Sequence, residues 1–404
     1  MTEKTGWFSR VFARSNKANL SEKKQAGLYG SSGFVALHNV LGAGWTSASY
    51  EALSRQGFMR NAVVHRCVRM ISEAAGSVPW LAYEGEQELE NDKLISLIEQ
   101  PNPFQSRGDF IEALCGHLLL SGNAYVERVG HDDAPFGNVF ALRPDYVSCA
   151  LDEYGWPEAY IYQTGNKKRH INIESVNEPP PLLHLKLFNP LDDVNGFAPL
   201  QAGLMALDTH NAAAEWNKAL LDNAARPSGA LVYAPGDGSN LTPEQYEQLK
   251  KELEDGYSGP NNAGKPLLLE GGLDWKAMGL SPKDMDFIEA KNAASRDIAL
   301  AFGVPPMLLG IPGDNAYANY QEAHRAFFRL TVLPLLQRIK GAMSAWMQQS
   351  RSSEFHLELD LDQVESLRPE RDALWTRLEA ASFLSDDEKR MAVGYSPMGQ
   401  EAIK

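Results

Sequence analysis

A chain of 404 residues is long enough for two or more domains with cores of their own. Its 44% apolar and 22% charged residues are ordinary for a folded protein. A net charge of -14, from 52 acids against 38 bases, excludes gripping DNA in a basic groove, because that affinity comes from neutralising phosphates. Surrounding DNA without holding it stays open, and so does an acidic protein with no nucleic-acid role.

The basic residues gather at the start: residues 1–24 carry six Lys/Arg against two Glu. With the Gly/Ser-rich stretch that follows, this predicts a flexible basic arm over residues 1–44, without the apolar core of a signal peptide. No run approaches the roughly 18 apolar residues of a membrane span. Of the three cysteines, Cys67 and Cys115 fall in apolar helical patterns and Cys149 in a short strand, with no CxxC pair. Buried free thiols are expected, as suits folding in a reducing cytoplasm.

The first firm helix begins near Tyr50, carries Val63, Val64, Cys67, Val68 and Ile71 at helical spacing, and stops at Gly76. A strand follows at 78–83, then a short helix begun by Asp92 and ended by the PNP at 101–103. Ser106 with Asp109 three residues on predicts a capped helix with Phe110, Leu114 and Leu118 on one face. NAYVERV (123–129) predicts an alternating strand, and VFALRP, VSCALD, AYIYQT and LLHLKL predict further strands of one antiparallel sheet. Residues 50–190 thus predict an α+β domain, helices first and then an antiparallel sheet.

Pro199 opens a long helix over 199–224 with Leu200, Leu204, Leu207 and Trp216 among its apolar residues and Ala212, Ala213 and Ala214 in its middle. A β-α-β unit follows, with Thr242 capping its helix and too few large apolar residues to stand alone. Ser281-Pro282 opens a helix over 283–302 whose apolar stripe is thin: Phe287, Ile288, Ala294, Ile298, Ala301 and Phe302. Such a helix is either solvated or packed beside copies of itself. Prolines and glycines make 303–319 a long loop, a feature that is often functional. The longest helix, 319–349, has Pro334 in its middle and should kink there. FHLELDLD (355–362) alternates as a half-buried strand, and 365–404 predicts short acidic helices around a weak core of Leu374, Trp375, Leu378, Phe383 and Leu384.

The search for chemistry is short. GPNNAGKP (259–266) approaches a phosphate-binding loop, but Pro266 replaces the hydroxyl residue and the segment precedes a strand rather than opening a helix. The glycines at 27, 30 and 33 follow no strand. The nine histidines show no metal spacing, and GxSxG is absent. Glu358, Asp360 and Asp362 share a strand face, where a solvated face competes with a divalent-cation site. No cofactor, metal or catalytic residue is assigned.

Four stretches in one order, PNPFQSRGDFIEALCGHLLLSGNAYVERVG (101–130), ARPSGALV (225–232), AGKPLLLEGGLDWKAMGLSPKDMDFIEAKNAASRDIALAFGVPPMLLG (263–310) and NYQEAHRAFFRLTVLPLLQRI (319–339), resemble the portal proteins of phages with HK97-type heads, a family also used by gene transfer agents. The resemblance covers about residues 45–350. It implies a portal fold assembled as a ring, typically of twelve subunits. The divisions would be a mixed α/β wing (45–198), a stem helix (199–227), a β-α-β clip (228–280), a second stem helix (281–303), a tunnel loop (304–318), a return to the wing through a long kinked helix and a strand (319–364), and a small helical crown (365–404). It implies a virion protein of the capsid portal vertex, in the host cytoplasm during assembly. Its partners would be double-stranded DNA in the channel, the major capsid protein, the large terminase subunit, which would dock on the clip, and later head-tail adaptor proteins. On that template Lys283, Asp284, Glu289, Lys291, Asp297, Pro312, Gly313, Asp314, Asn315 and Tyr317 would line the tunnel, and Glu247, Lys250, Lys251 and Glu254 would form the clip docking surface. Three other readings stay open: a nucleotide-binding enzyme built around 259–266, a monomeric adaptor, and another head-tail connector ring.

Overall fold

The computed structural model describes residues 45–89, 92–130, 137–173, 179–222, 229–233, 242–257, 273–277, 287–311 and 317–393. Contacts divide the chain after Ser47, and every element below belongs to the unit that follows.

Asn61 caps α1 (Ala62–Ser77), its side-chain oxygen accepting from the Val63 and Val64 amides at 3.0 and 3.1 Å. Gly76 lies inside this helix rather than stopping it. A Cβ there would stand 2.8 Å from the Gly108 carbonyl oxygen, so the glycine permits a close crossing between α1 and α3 (Arg107–Ser121). The capping box of α3 forms as expected from Ser106 and Asp109, and Phe110, Leu114 and Leu118 are buried. Asp92 likewise caps α2 (Lys93–Glu99). Cys67 on α1 and Cys115 on α3 are fully buried free thiols, and burial pushes both up to about 12.

The predicted single sheet is three antiparallel ones. β1 (Trp80–Glu84) pairs with β2 (Gln87–Glu88) and with the distant β11 (Phe355–Leu359). β3 (Asn123–Val129) lies between β4 (Asn138–Leu142) and β8 (Leu182–Lys186). Its first five residues are all buried, so the expected alternation is absent: α3 packs against it and a further sheet meets its other side. That sheet has the order β5 (Val147–Leu151), β6 (Pro157–Thr164), β7 (Lys167–Asn172). A small core of Tyr125, Leu142, Tyr160, Ile171 and Leu182 joins the two, and Arg169 on β7 pairs with the buried Glu127 on β3. β7 carries no apolar pattern beyond Ile171 and was not expected.

Pro199 does open helical structure, but only one turn, 199–202, before a break at Gly203 and α4 (Leu204–Asp222). Strands β9 (Gly229–Tyr233) and β10 (Leu273–Ala277) pair antiparallel and flank α5 (Pro243–Tyr257), capped by Thr242. Helix α6 (Phe287–Phe302) packs along α4. The Pro/Gly segment after it contains a short 3₁₀ turn, Pro306–Leu309, not the irregular chain expected. The long helix is two, α7 (Tyr317–Phe327) and α8 (Leu333–Gln348), joined by a π-helical turn at 328–332. Pro334 supplies the reason: lacking an N–H, it cannot close an α-turn onto Leu330, and the wider turn ends with the Leu333 amide on the Phe328 carbonyl.

β11 follows the expected alternation for Phe355 and Leu357, but the strand ends at Leu359 and Leu361 lies outside it, exposed. Among the described residues of α9 (Arg368–Ala380) and α10 (Asp386–Ala392) none is fully buried: of the expected weak core, Trp375 and Phe383 are exposed and Leu374, Leu378 and Leu384 are half-buried.

Candidate functional site

The antiparallel pair α4/α6 is the feature the fold leaves open. Its inner side is closed: Ala206, Leu207, His210 and Ala213 on α4 and Ala294, Ser295, Ile298, Ala299 and Phe302 on α6 are buried. A Cβ at Gly203 would touch the Ala301 Cβ at 3.3 Å, so the start of α4 lies against the end of α6. The outer sides differ. On α4, Met205, Thr209, Ala212, Trp216 and Ala219 are exposed at steps of four, three, four and three. That is the seven-residue spacing of a seam made to meet another helix. In the sequence Trp216 stands among the apolar residues of the helix with no sign of which side it takes; separating the two stripes of α4 by their periods would have found the seam.

On α6, Glu289 and Asp297 are exposed on the outer side. Ile288, expected in the inner stripe, is 74% exposed, since it lies in the first turn of the described helix, where no packing covers it. Lys291 is half-buried, and its charge, after burial, helps lower the pKa of His210. It faces α4 rather than the outer side. Lys283, Asp284, Pro312, Gly313, Asp314 and Asn315 lie outside the described residues, as does the motif at 259–266. Tyr317 opens α7, and its side chain is also outside them. Glu247, Lys250 and Lys251 are exposed on α5; Glu254 falls one turn on along the same face, with its side chain outside the described residues.

Two polar joints fix the pair to the sheets and helices before it. In the first, the Asn61 amide nitrogen donates to His210 Nδ1 at 3.0 Å and to Asn211 Oδ1 at 2.9 Å, while Asn211 donates to the Gln56 carbonyl at 3.0 Å and Arg60 pairs with Glu215. The cap of α1 is therefore also an anchor of α4. The second holds the loop before α4. Asn123 Oδ1 accepts from the Gly196 amide at 2.7 Å and from His184 Nε2 at 3.0 Å, and the Leu187 amide donates to the Gly122 carbonyl at 2.8 Å. His184 Nε2 must carry its proton, because Asn123 Oδ1 can only accept, so Nδ1 accepts from the Tyr160 hydroxyl at 3.1 Å. Burial, then the Lys186 charge, pushes His184 down to about 4.

The carboxylates at the end of β11 are spent within the chain: Glu358 on Lys340, Asp362 on Arg371, and Asp360 on the Asp362 amide. Among the described residues no group of His, Cys, Asp or Glu is arranged to hold a metal ion. No helix of the described residues is long and apolar enough to cross a membrane.

The model of the phage portal protein family matches residues 62–394. The chain is similar to a chain in the neck of an empty gene transfer agent particle computed with C6 symmetry, 49% identical, covering 88% of this chain and 95% of that one, with a TM-score of 0.70. It is similar to one in the neck of the native particle computed with C12 symmetry, 48% identical, covering 87% and 95%, with a TM-score of 0.67. The portal protein of Enterobacteria phage HK97 is 23% identical over 88% of this chain and 81% of its own length. The chain belongs to the HK97-type phage portal protein family, which also serves gene transfer agents.

Proposed function

We propose that the chain is one subunit of a twelvefold ring at a capsid vertex, through which double-stranded DNA is packaged and later ejected. The observation that carries this reading is the uncovered seam on α4. A helix pair closed on its inner side and patterned for a further helix on its outer side is incomplete in one copy. The twelvefold symmetry of the similar neck supports the number.

In this reading residues 45–198 and 319–364 form the wing, α4 and α6 the stem, 228–280 the clip, 304–318 the tunnel loop and 365–404 the crown. Wing residues meet the major capsid protein. The clip, with Glu247, Lys250, Lys251 and Glu254 on one face of α5, receives the large terminase subunit and afterwards head-tail adaptors. Glu289 and Asp297 of α6, with Lys283, Asp284 and residues 312–317, border the channel. DNA carries one phosphate charge per about 1.7 Å of its axis. Carboxylates near the bore repel phosphates, so no position holds the duplex and it slides under an external motor.

The seam gives the test. Met205→Asp with Trp216→Asp places two charges where the next copy is to dock. The unaltered chain is expected to scatter light as a large ring, and the double variant as a single subunit with unchanged helical content. A variant that still forms the ring would refute the assignment of the seam.

A further inference from the structure

We infer that the loop between β8 and α4 is a preformed knob that docks on the end of α6 and the following π-turn of the next copy in the ring; this rests on the ring reading above. The loop is locked from within. Asn189 Oδ1 accepts from the Leu191 amide at 3.1 Å, and its side-chain nitrogen donates to the Asn195 carbonyl at 2.9 Å. Asp192 Oδ1 accepts from the Val194 and Asn195 amides at 2.7 and 2.9 Å, its other oxygen takes the Asn195 side chain at 2.9 Å, and Lys186 donates to the Asp193 carbonyl. Both ends are held by the Gly122–Asn123 joint. Yet this ordered loop presents Phe188 at 78% and Leu191 at 95% exposure. A loop whose backbone is already fixed loses little further backbone entropy on docking, so it presents its apolar side chains at low cost.

Cyclic symmetry indicates where the knob lands. Ring contacts are heterologous, one patch on a different patch of the neighbour, with all copies at the same height. The knob runs into Pro199 and so sits at the level where α4 begins. The contact of Gly203 with Ala301 puts the end of α6 at that level, and the hydrogen bond from Thr331 Oγ1 to the Gly303 carbonyl puts the π-turn beside it. At this level Leu300 is 78% and Leu330 68% exposed, and Arg329 is exposed next to Leu330. The knob carries the complementary set, two large apolar side chains and the exposed Asp193. The occupant is therefore a second copy, with Asp193 meeting Arg329 at the edge of an apolar contact.

The test measures, on the full chain, the protein concentration at which half the subunits are in rings. Phe188→Ser with Leu191→Asp is expected to raise it about tenfold or more, and Asp193→Arg alone by several-fold. Combining Asp193→Arg with Arg329→Asp is expected to bring it back toward the starting value, a recovery that a purely structural role would not give. Thermal unfolding of the separated subunits checks that each variant folds. Variants that assemble at the original concentration, or a charge swap no better than its worse single change, overturn the contact and assign the knob to a different protein of the particle. An unaltered chain that never forms rings removes both this contact and the ring reading, and is distinguished by needing no variant.

Discussion

Gly196→Ala is expected to destabilise the subunit by about 3 kcal/mol or more, placing it among the rare large effects of single substitutions. The added Cβ would stand 2.0 Å from the Gly122 carbonyl oxygen and 2.8 Å from the Leu187 amide nitrogen. Both are backbone atoms, so no side chain can swing aside to make room. Relief requires drawing the loop away from Gly122, which breaks the Gly196 bond to Asn123 and the Leu187 bond to Gly122 together. Gly196 is buried, and its amide, once drawn off Asn123, carries the full desolvation penalty of an unsatisfied donor. Gly122 cannot yield either, because its φ of +76 is left-handed and its own neighbours are the backbone of Gly196 and Phe197. Denaturant unfolding of the variant checks the value. A loss below about 1 kcal/mol would show that the loop moves freely at this joint.

Acid should destabilise the fold through two histidines. Burial, with smaller opposing effects of Asp145 and Arg143, holds His117 down to about 4, and burial with Lys186 does the same to His184. In the unfolded chain each takes its proton near pH 6.5, in the folded chain only near 4. Between those values the unfolded state binds more protons. The stability these two groups contribute is therefore complete above pH 6.5, falls as pH drops toward 4, and changes no further below it. Each accounts for about 3 kcal/mol over that window. His117 accepts from or donates to the Tyr50 hydroxyl at 3.0 Å, while His184 sits in the Asn123 joint, so the two report on separate places. Unfolding free energy measured between pH 7 and 4 should lose part of its slope in His117→Gln and a separate part in His184→Gln. Unchanged slopes in both variants would contradict the burial that sets these values.

What the sequence made legible follows from how local each signal is. The caps at Asp92, Ser106 and Thr242 and the irregularity at Pro334 are decided within one helical turn, so a few residues sufficed. Misreadings arose where a distant segment decides. Gly76 reads as a stop until Gly108 is seen beside it, and NAYVERV reads as half-buried until the β5–β6–β7 sheet covers its second side. β7 was invisible because its residues are chosen for edge position and for the pair with Glu127, not for burial. The joining roles of Asn61 and Asn123 leave no pattern in the sequence: beyond Asn61's local part as the cap of α1, each ties together segments far apart in the chain. The thin stripe of α6 and the second stripe of α4 were in the sequence, but only the packing of α4 on α6 separates the side that is filled from the side that is not.

Images of the purified chain, averaged by rotational symmetry, test the central claim most directly. The account predicts closed rings with a central hole wide enough for a DNA duplex, with α4 and α6 of successive copies side by side around it. Compact single particles, or open oligomers with no hole, at concentrations where the chain is fully folded would contradict it.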